Sequence, residues 1–228
     1  MVAALLASSS TLLSAHSTVG CSTGYMDELR EDWDALVAAA AQTSGFAIEL
    51  SALCEDELDG LIEYLRSVRP LPFRFVSVHG PSKDRRLSDD ELVSALERLP
   101  AWVSAIVMHP DAMVDLAPYR RLGRRLCVEN MDPRKHLGQT ADDLQRYFAQ
   151  LPEARLCFDV AHAHAVDPSL AVARELLSRY SSRLSHVHLS SLDAEQHHVP
   201  LTDSDQERFA TVLKRCSDVP WILEAPPV

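Results

Sequence analysis

The chain has 228 residues, 46% of them hydrophobic and 24% charged, the make-up of a globular protein with a sizeable core rather than of a disordered or fibrous chain. Its net charge of -11 argues against a surface that grips many phosphates of a nucleic acid, and no stretch is long and apolar enough to span a bilayer. The five cysteines, Cys21, Cys54, Cys127, Cys157 and Cys216, are odd in number, far apart and without a CxxC pair, so they are expected as reduced thiols of a cytoplasmic protein.

The opening MVAALLASSSTLLSAHS is apolar, but it has no Lys or Arg ahead of the apolar part and serines interrupt it, so it is not read as a signal peptide. Short apolar runs then alternate with longer segments of helical periodicity. TLLSAHS, AIELSA, FRFVSVH, SAIVMH, RLCVEN, RLCFDV, LSHVHL and PWILEA predict eight strands. Helix starts between them are marked by Asp27 or Asp32 before WDALVAAAA, Ser88 with Glu91 as a capping box, Thr140, Asp167 with Pro168, and Thr202 or Asp203. The fourth helix, around DLAPYRRLG, has the weakest pattern, with Pro118 in its first turn. No linker, repeat or low-complexity segment divides the chain, which predicts one domain over residues 1–228. Strict alternation with eight strands predicts an α/β fold, a single (β/α)8 TIM barrel. An open doubly wound sheet fits less well, because GCSTG lacks the phosphate-binding glycine spacing.

Polar residues recur where the predicted strands end. His79 ends the third, His109 the fourth, Glu129 the fifth, Asp159 the sixth with His162 just beyond, His188 the seventh and Glu224 the eighth. A barrel gathers the carboxyl ends of its strands on one face, so these groups are expected to share one pocket. Histidines and carboxylates without cysteine form a ligand set for Zn, Mn or Fe. One strand-end His or Glu is as often a hydrogen-bonded structural group; repetition over six consecutive strands favours metal.

Other residues carry both a structural and a functional reading. His186, two residues before His188, points the same way one layer deeper and is expected to orient ligands; His16, at the end of the predicted first strand, is given a similar part. His164 and His197 are placed at the pocket rim and His136 on the surface. Glu49 either faces the pocket or forms a salt bridge inside the barrel. Lys83 and Arg85, in SKDRR, either reach a phosphate or carboxylate at the pocket mouth or belong to a solvated loop.

As a set, VHGPS, MHPD, VENMD, FDVAHAHA, HVHLSS followed by HHVPL, and ILEAP resemble the xylose isomerase-like TIM barrel superfamily. That superfamily includes endonuclease IV-type phosphodiesterases (AP endonuclease family 2) and many sugar and sugar-phosphate isomerases and epimerases. The resemblance implies one to three divalent ions. A central ion is implied at Glu129, Asp159, His188 and Glu224, and a second at His79 and His109 with Glu129 bridging. A third is implied at His162 and His198, where the family's aspartate is replaced by Gln196; Asp193 or Glu195 are the substitutes within reach of the sequence. Gln196, His164, Lys83 and Arg85 are the expected substrate contacts.

Isomerase or epimerase chemistry on a sugar-like or sugar-phosphate substrate leads by family membership, with Glu129 or Glu224 moving the proton and His162 holding a substrate hydroxyl. Against it, SSLDAEQHH offers no arginine after His188 such as some epimerases use. The alternative is a multinuclear-metal phosphoesterase on a small, non-DNA substrate, which the His79/His109 pair favours. A barrel that only binds a ligand is the third reading. Short loops imply an open pocket, and pairing of two chains to close it is the expectation carried by the family.

Overall fold

The computed structural model describes residue 13, residues 16–68 and residues 70–227. Its strands are β1 (Val19–Ser22), β2 (Ala47–Ser51), β3 (Phe75–His79), β4 (Ala105–Met108), β5 (Leu126–Glu129), β6 (Arg155–Asp159), β7 (Leu184–Leu189), β8 (Ser191–Leu192), β9 (His198–Val199) and β10 (Trp221–Leu223). All but β8 and β9 close into a parallel barrel in the order β1-β10-β7-β6-β5-β4-β3-β2. The expected (β/α)8 barrel is thus the fold. β8 and β9 pair antiparallel as a hairpin on the chain that leaves β7.

Closure needs a residue without a side chain at Gly20. A Cβ there would lie 2.2 Å from the Ala47 carbonyl oxygen of the neighbouring strand, so β1 could not approach β2 with any other residue. Between β6 and β7 the register shifts, so that Leu156 faces Leu184 but Cys157 faces His186. That irregularity puts His186 beside Cys157 and His188 beside Asp159.

The helices are α1 (Trp33–Thr43), α2 (Glu55–Ser67), α3 (Asp89–Leu96), α4 (Ala141–Gln150), α5 (Val160–Val166), α6 (Ala171–Tyr180) and α7 (Asp203–Leu213). Several start where the side chains that can cap them stand. Asp32 accepts from Ala35 N at 3.0 Å, and Ser88 and Glu91 form the reciprocal capping box. Thr140 and Thr202 accept from the amides three residues on. Asp167 accepts from the first amides of α6, Ala171 N at 2.8 Å and Val172 N at 3.2 Å.

Two expectations differ from the structure. The first strand is VGCS, not TLLSAHS; residues 11, 12, 14 and 15 of that run lie outside the described residues. The fourth connection is a 3-10 helix, Pro118–Arg125, instead of an α-helix. Pro118 at its start has no N–H to donate, and Gly123 at φ 54° breaks the helical path near its end.

The strands present two unlike faces. Outward, Ile48, Leu50, Val76, Val78, Ile106, Met108, Val128 and Phe158 pack with Leu36, Leu61, Leu92 and Leu144 of the helices in one continuous apolar cluster. Inward, Ala105, Val107, Cys127 and Cys157 form a small separate cluster against Phe75. Much of the remaining interior is polar, with Glu49, Ser77, His186 and His188 all fully buried. All five cysteines are free thiols. Among the described residues, no helix is long and apolar enough to cross a membrane.

Candidate metal centre

The carboxyl ends of the strands open into a cavity of about 810 Å³, lined among others by His79, His109, Glu129, Asp132, His162, His198 and Glu224. Each side chain is placed by the residue's position on its element. His79, Glu129 and Asp159 are the last residues of β3, β5 and β6, so their side chains point inward at the strand tips. His109 follows β4 directly, and Glu224 follows β10. Asp159 also caps α5, accepting from His162 N at 2.7 Å, which sets His162 in the first turn of that helix. The polar end of FDVAHAHA is therefore a strand that turns straight into a helix.

Glu129 is the hinge of the arrangement. Its Oε2 lies 3.5 Å from His79 Nε2 and 3.3 Å from His109 Nε2, and the two imidazole nitrogens are 3.1 Å apart. His79 Nδ1 donates to the Gly80 carbonyl at 2.9 Å, which leaves Nε2 as the lone-pair atom facing Glu129. The other Glu129 oxygen, Oε1, lies 3.2 Å from His188 Nδ1, and Glu224 Oε1 is 3.1 Å from that same nitrogen. Ligand atoms of Glu129, Asp159, His188 and Glu224 fall within 4.8 Å of one another, as do those of His79, His109 and Glu129, and those of Asp159, His162 and His198.

The electrostatics fit cations in these sets. Glu129 Oε2, Asp159 Oδ2 and Glu224 Oε2 are buried acceptors without a hydrogen-bond partner, and His162 Nε2 and His109 Nδ1 are also unpartnered. Buried carboxylates cost several kcal/mol each, on the order of a lost ion's hydration, unless a positive charge compensates them. Burial, reinforced by the Glu224 and Glu129 charges, holds Asp159 well above the usual carboxylate range. Burial also pulls the His188 imidazole down, but the acidic groups around it, Cys157, Glu224, Glu49 and Glu129, win and push it well above its ordinary value. Glu129 is held low against its burial by His188, His109 and His79. Divalent ions would replace protons in each of these roles.

Beneath the ring, Glu49 is fully buried and takes Ser77 Oγ at 2.8 Å. His188 Nε2 donates to Glu49 Oε2 at 3.2 Å and so keeps Nδ1 for the pocket. His186 Nε2 sits 3.5 Å from Glu49 Oε2, one layer below His188 as its spacing suggests. Of the two sequence readings of Glu49, the structure has the salt bridge inside the barrel. Asn130 was not singled out, yet it ties the tips together: its side chain bonds Asp159 O and Asp159 N, and its carbonyl accepts from His162 Nδ1 at 3.0 Å. Its position directly after Glu129 was the available signal.

Several expected contacts lie elsewhere. His16 precedes β1, at the amino end of the barrel, where it stacks on Trp221 at 3.7 Å and bonds the Val219 carbonyl. It cannot support a site at the opposite end. Arg85 is bound to Glu55, Asp89 and backbone carbonyls, away from the cavity. His164 points to Arg208 and Phe209, because residues two apart on a helix face different ways and His162 takes the pocket side. Asp193 accepts from Glu195 N and His197 N of its own hairpin, and Glu195 is exposed, so neither faces the cavity. Lys83, Gln196, His197 and His198 do line it, joined by Arg134 and Lys135, cations that the sequence reading did not single out.

A model of the xylose isomerase-like TIM barrel family matches residues 105–227, more than half of the chain. The chain belongs to this family. The match takes in β4 to β10, and with them every strand-end ligand candidate except His79. Among solved structures, endonuclease IV from Thermus thermophilus is similar with a TM-score of 0.56 at 21% identity, over 85% of this chain and 87% of that one. A sugar phosphate isomerase/epimerase from Parabacteroides distasonis is similar with a TM-score of 0.53 at 14% identity, over 92% of this chain and 88% of that one. At these identities the likeness is one of fold. Among curated proteins, none matches the chain.

Proposed function

We propose that this family member is a multinuclear divalent-metal phosphoesterase acting on a small phosphorylated, sugar-like substrate. The observation that carries the reading is Glu129, whose two oxygens face two different donor sets, His79 with His109 on one side and His188 with Glu224 on the other. A carboxylate so placed could serve both donor sets. His79, His109, Glu129, Asp159, His188 and Glu224 would hold Zn, Mn or Fe, which would supply charge neutralisation for phosphoryl oxygens and acidify water. The protein's own part is to hold that pair. Glu49 fixes the His188 tautomer, Gly80 O fixes that of His79, and Asn130 fixes Asp159 and His162. Lys83, Arg134 and Lys135 on the cavity wall give an acidic protein a local cationic rim, which suits a phosphorylated ligand. The similarity of fold to endonuclease IV is compatible with phosphoester chemistry, while the net charge of -11 speaks for a substrate smaller than DNA.

A sugar isomerase or epimerase is the second reading, favoured by Glu224, which lines the cavity with Oε2 unpartnered and so offers a base beside the central ligands. The two readings separate in one assay. Metal-loaded protein is incubated with small phosphomonoesters and phosphodiesters, and with ketose and aldose phosphates in deuterated water. Release of phosphate or of the leaving alcohol is the expected result. Deuterium uptake at carbon without hydrolysis would overturn the first reading in favour of the second.

A further inference from the structure

One layer below the ring, the barrel interior holds a thiol-bearing donor set that the proposed chemistry does not use. The register shift between β6 and β7 sets Cys157 opposite His186 and Asp159 opposite His188. Cys157, His186 and His188 are all fully buried, and one ligand atom of each, the thiol sulfur and a nitrogen of either imidazole, lies within 4.8 Å of the other two. Bonds of about 2.3 Å to sulfur and about 2.0–2.1 Å to nitrogen would gather those atoms on one ion with small side-chain movements.

His186 is the member that hydrogen bonding leaves unused. Its Nδ1 meets the Ser185 hydroxyl at 3.0 Å, whereas Nε2 is buried with no hydrogen-bond partner among the described residues. Glu49 Oε2 lies 3.5 Å from that nitrogen, longer than the usual N–H···O distance of about 2.9–3.0 Å. Glu49 is fully buried in the same layer, and its Oε1 also lacks a hydrogen-bond partner. The thiolate is the form of cysteine that binds metal, so the Cys157 proton would pass to solvent on binding. Thiolate and Glu49 together would then balance the two charges of a divalent ion.

This set differs from the ring in softness. Carboxylates and imidazoles suit hard and borderline ions, while a thiolate selects soft ones. His188 belongs to both sets. A neutral imidazole has one lone-pair nitrogen, so His188 completes one set at a time.

We infer that Cys157, His186 and His188 form an interior site for a soft divalent cation, and that an ion there withdraws His188 from Glu129, Asp159 and Glu224. The interior site stands on its own three residues, and its exclusion of a central ion rests on the metal-centre reading.

The test takes metal-free protein and uses Cd as the soft probe, with thermal melting of each variant as the folding control. One equivalent of Cd is expected to give the near-ultraviolet thiolate-to-Cd charge-transfer band, and Cys157→Ala is expected to lose it. No band in the wild type overturns the inference. A band that persists in Cys157→Ala overturns it as well, because the ion then sits on another of the free thiols. If Cys157→Ala does not melt cooperatively, Cys157→Ser is expected to show the same loss. In His186→Ala the Cd affinity read from the band should fall by about 10-fold or more; an unchanged affinity counts against the site. Excess Mn, a hard ion suited to the ring, is then added to the Cd-loaded wild type. The band is expected to decline as Mn is taken up, counted by elemental mass spectrometry. A full band beside the Mn count of Cd-free protein overturns the exclusion. No Mn uptake with or without Cd overturns the metal-centre reading, while the Cd band in wild type and Cys157→Ala still decides the interior site.

Discussion

The outer and inner faces of the same eight strands are built to opposite rules. Outward, alternate residues such as Ile48, Leu50, Val76 and Val78 are aliphatic and fully or nearly fully buried against helices. Inward, their sequence neighbours are Ala47, Glu49, Ser77 and His79, small or ionisable and equally dry. The outer layer gains hydrophobic free energy at about 25 cal/mol per Å². The inner layer gains little of that and instead fixes charges, as at Glu49, whose Oε2 accepts from Ser77 and His188. The difference teaches where stability and function reside in this barrel: one residue apart along each strand.

If that division holds, inner and outer substitutions should fail in different ways. The largest effect is expected from Glu129→Gln, which removes the negative charge of the one residue common to both candidate ligand sets and turns one of its two oxygens into an amide nitrogen. Activity should fall by about a thousandfold, the scale of losing one preorganised electrostatic group, and the ion count should drop, while melting shows a folded chain. Leu50→Ala should do the reverse, costing roughly 2–5 kcal/mol in denaturant unfolding and leaving ions per chain unchanged. A loss of metal in Leu50→Ala would break the comparison.

Smaller effects sharpen it. Glu49→Gln leaves the ligand shell intact but weakens the acceptor that holds His188, so Zn affinity in a chelator competition should fall about 10–100-fold. Acidity gives a further readout. In the metal-free fold, Asp159 and His188 both hold protons above their ordinary ranges. Ligation must displace those protons, so binding releases them, and affinity should rise with pH and weaken as pH falls through the histidine range. An affinity independent of pH there would count against these two residues as ligands. Smallest of all, Ser88→Ala at the start of α3 should cost about 1 kcal/mol of stability with no change in metal binding.

Much of this was legible in the sequence because a barrel strand states both its faces at once. FVSVH, LCVE and LSHVHL show an aliphatic run that carries a candidate ligand near its end; seven of the eight predicted runs fall on strands, and six of those carry such a residue. The first strand was not legible, since VGCS is short and carries a glycine and polar residues, whereas TLLSAHS looks more apolar. Its Gly20 is explained only by the approach of Ala47, a contact across the closed barrel. The placement of the strand-tip candidates in one pocket could be read from the sequence, but that of the residues beyond the tips could not. His162 and His164 look equivalent until the chain turns helical after Asp159 and sends one inward and one toward Arg208. Arg85 resembled a pocket cation, and its ion pairs with Glu55 and Asp89 bring together loop and helix residues that spacing alone does not join. Asp132 and Arg134 sit in a polar loop, PRKHLGQ following NMD, that reads as surface until the fold buries the aspartate.

Whether the sets that meet at Glu129 each hold an ion is tested most directly by the metal content of chelator-free protein, wild type against His109→Ala, by elemental mass spectrometry. Two or more ions per chain, falling by about one in the variant while the fold is retained, is the result this account requires. A single ion whose occupancy is unchanged by His109→Ala would contradict it, reducing His79 and His109 to substrate-binding or structural roles and moving the protein to the isomerase reading.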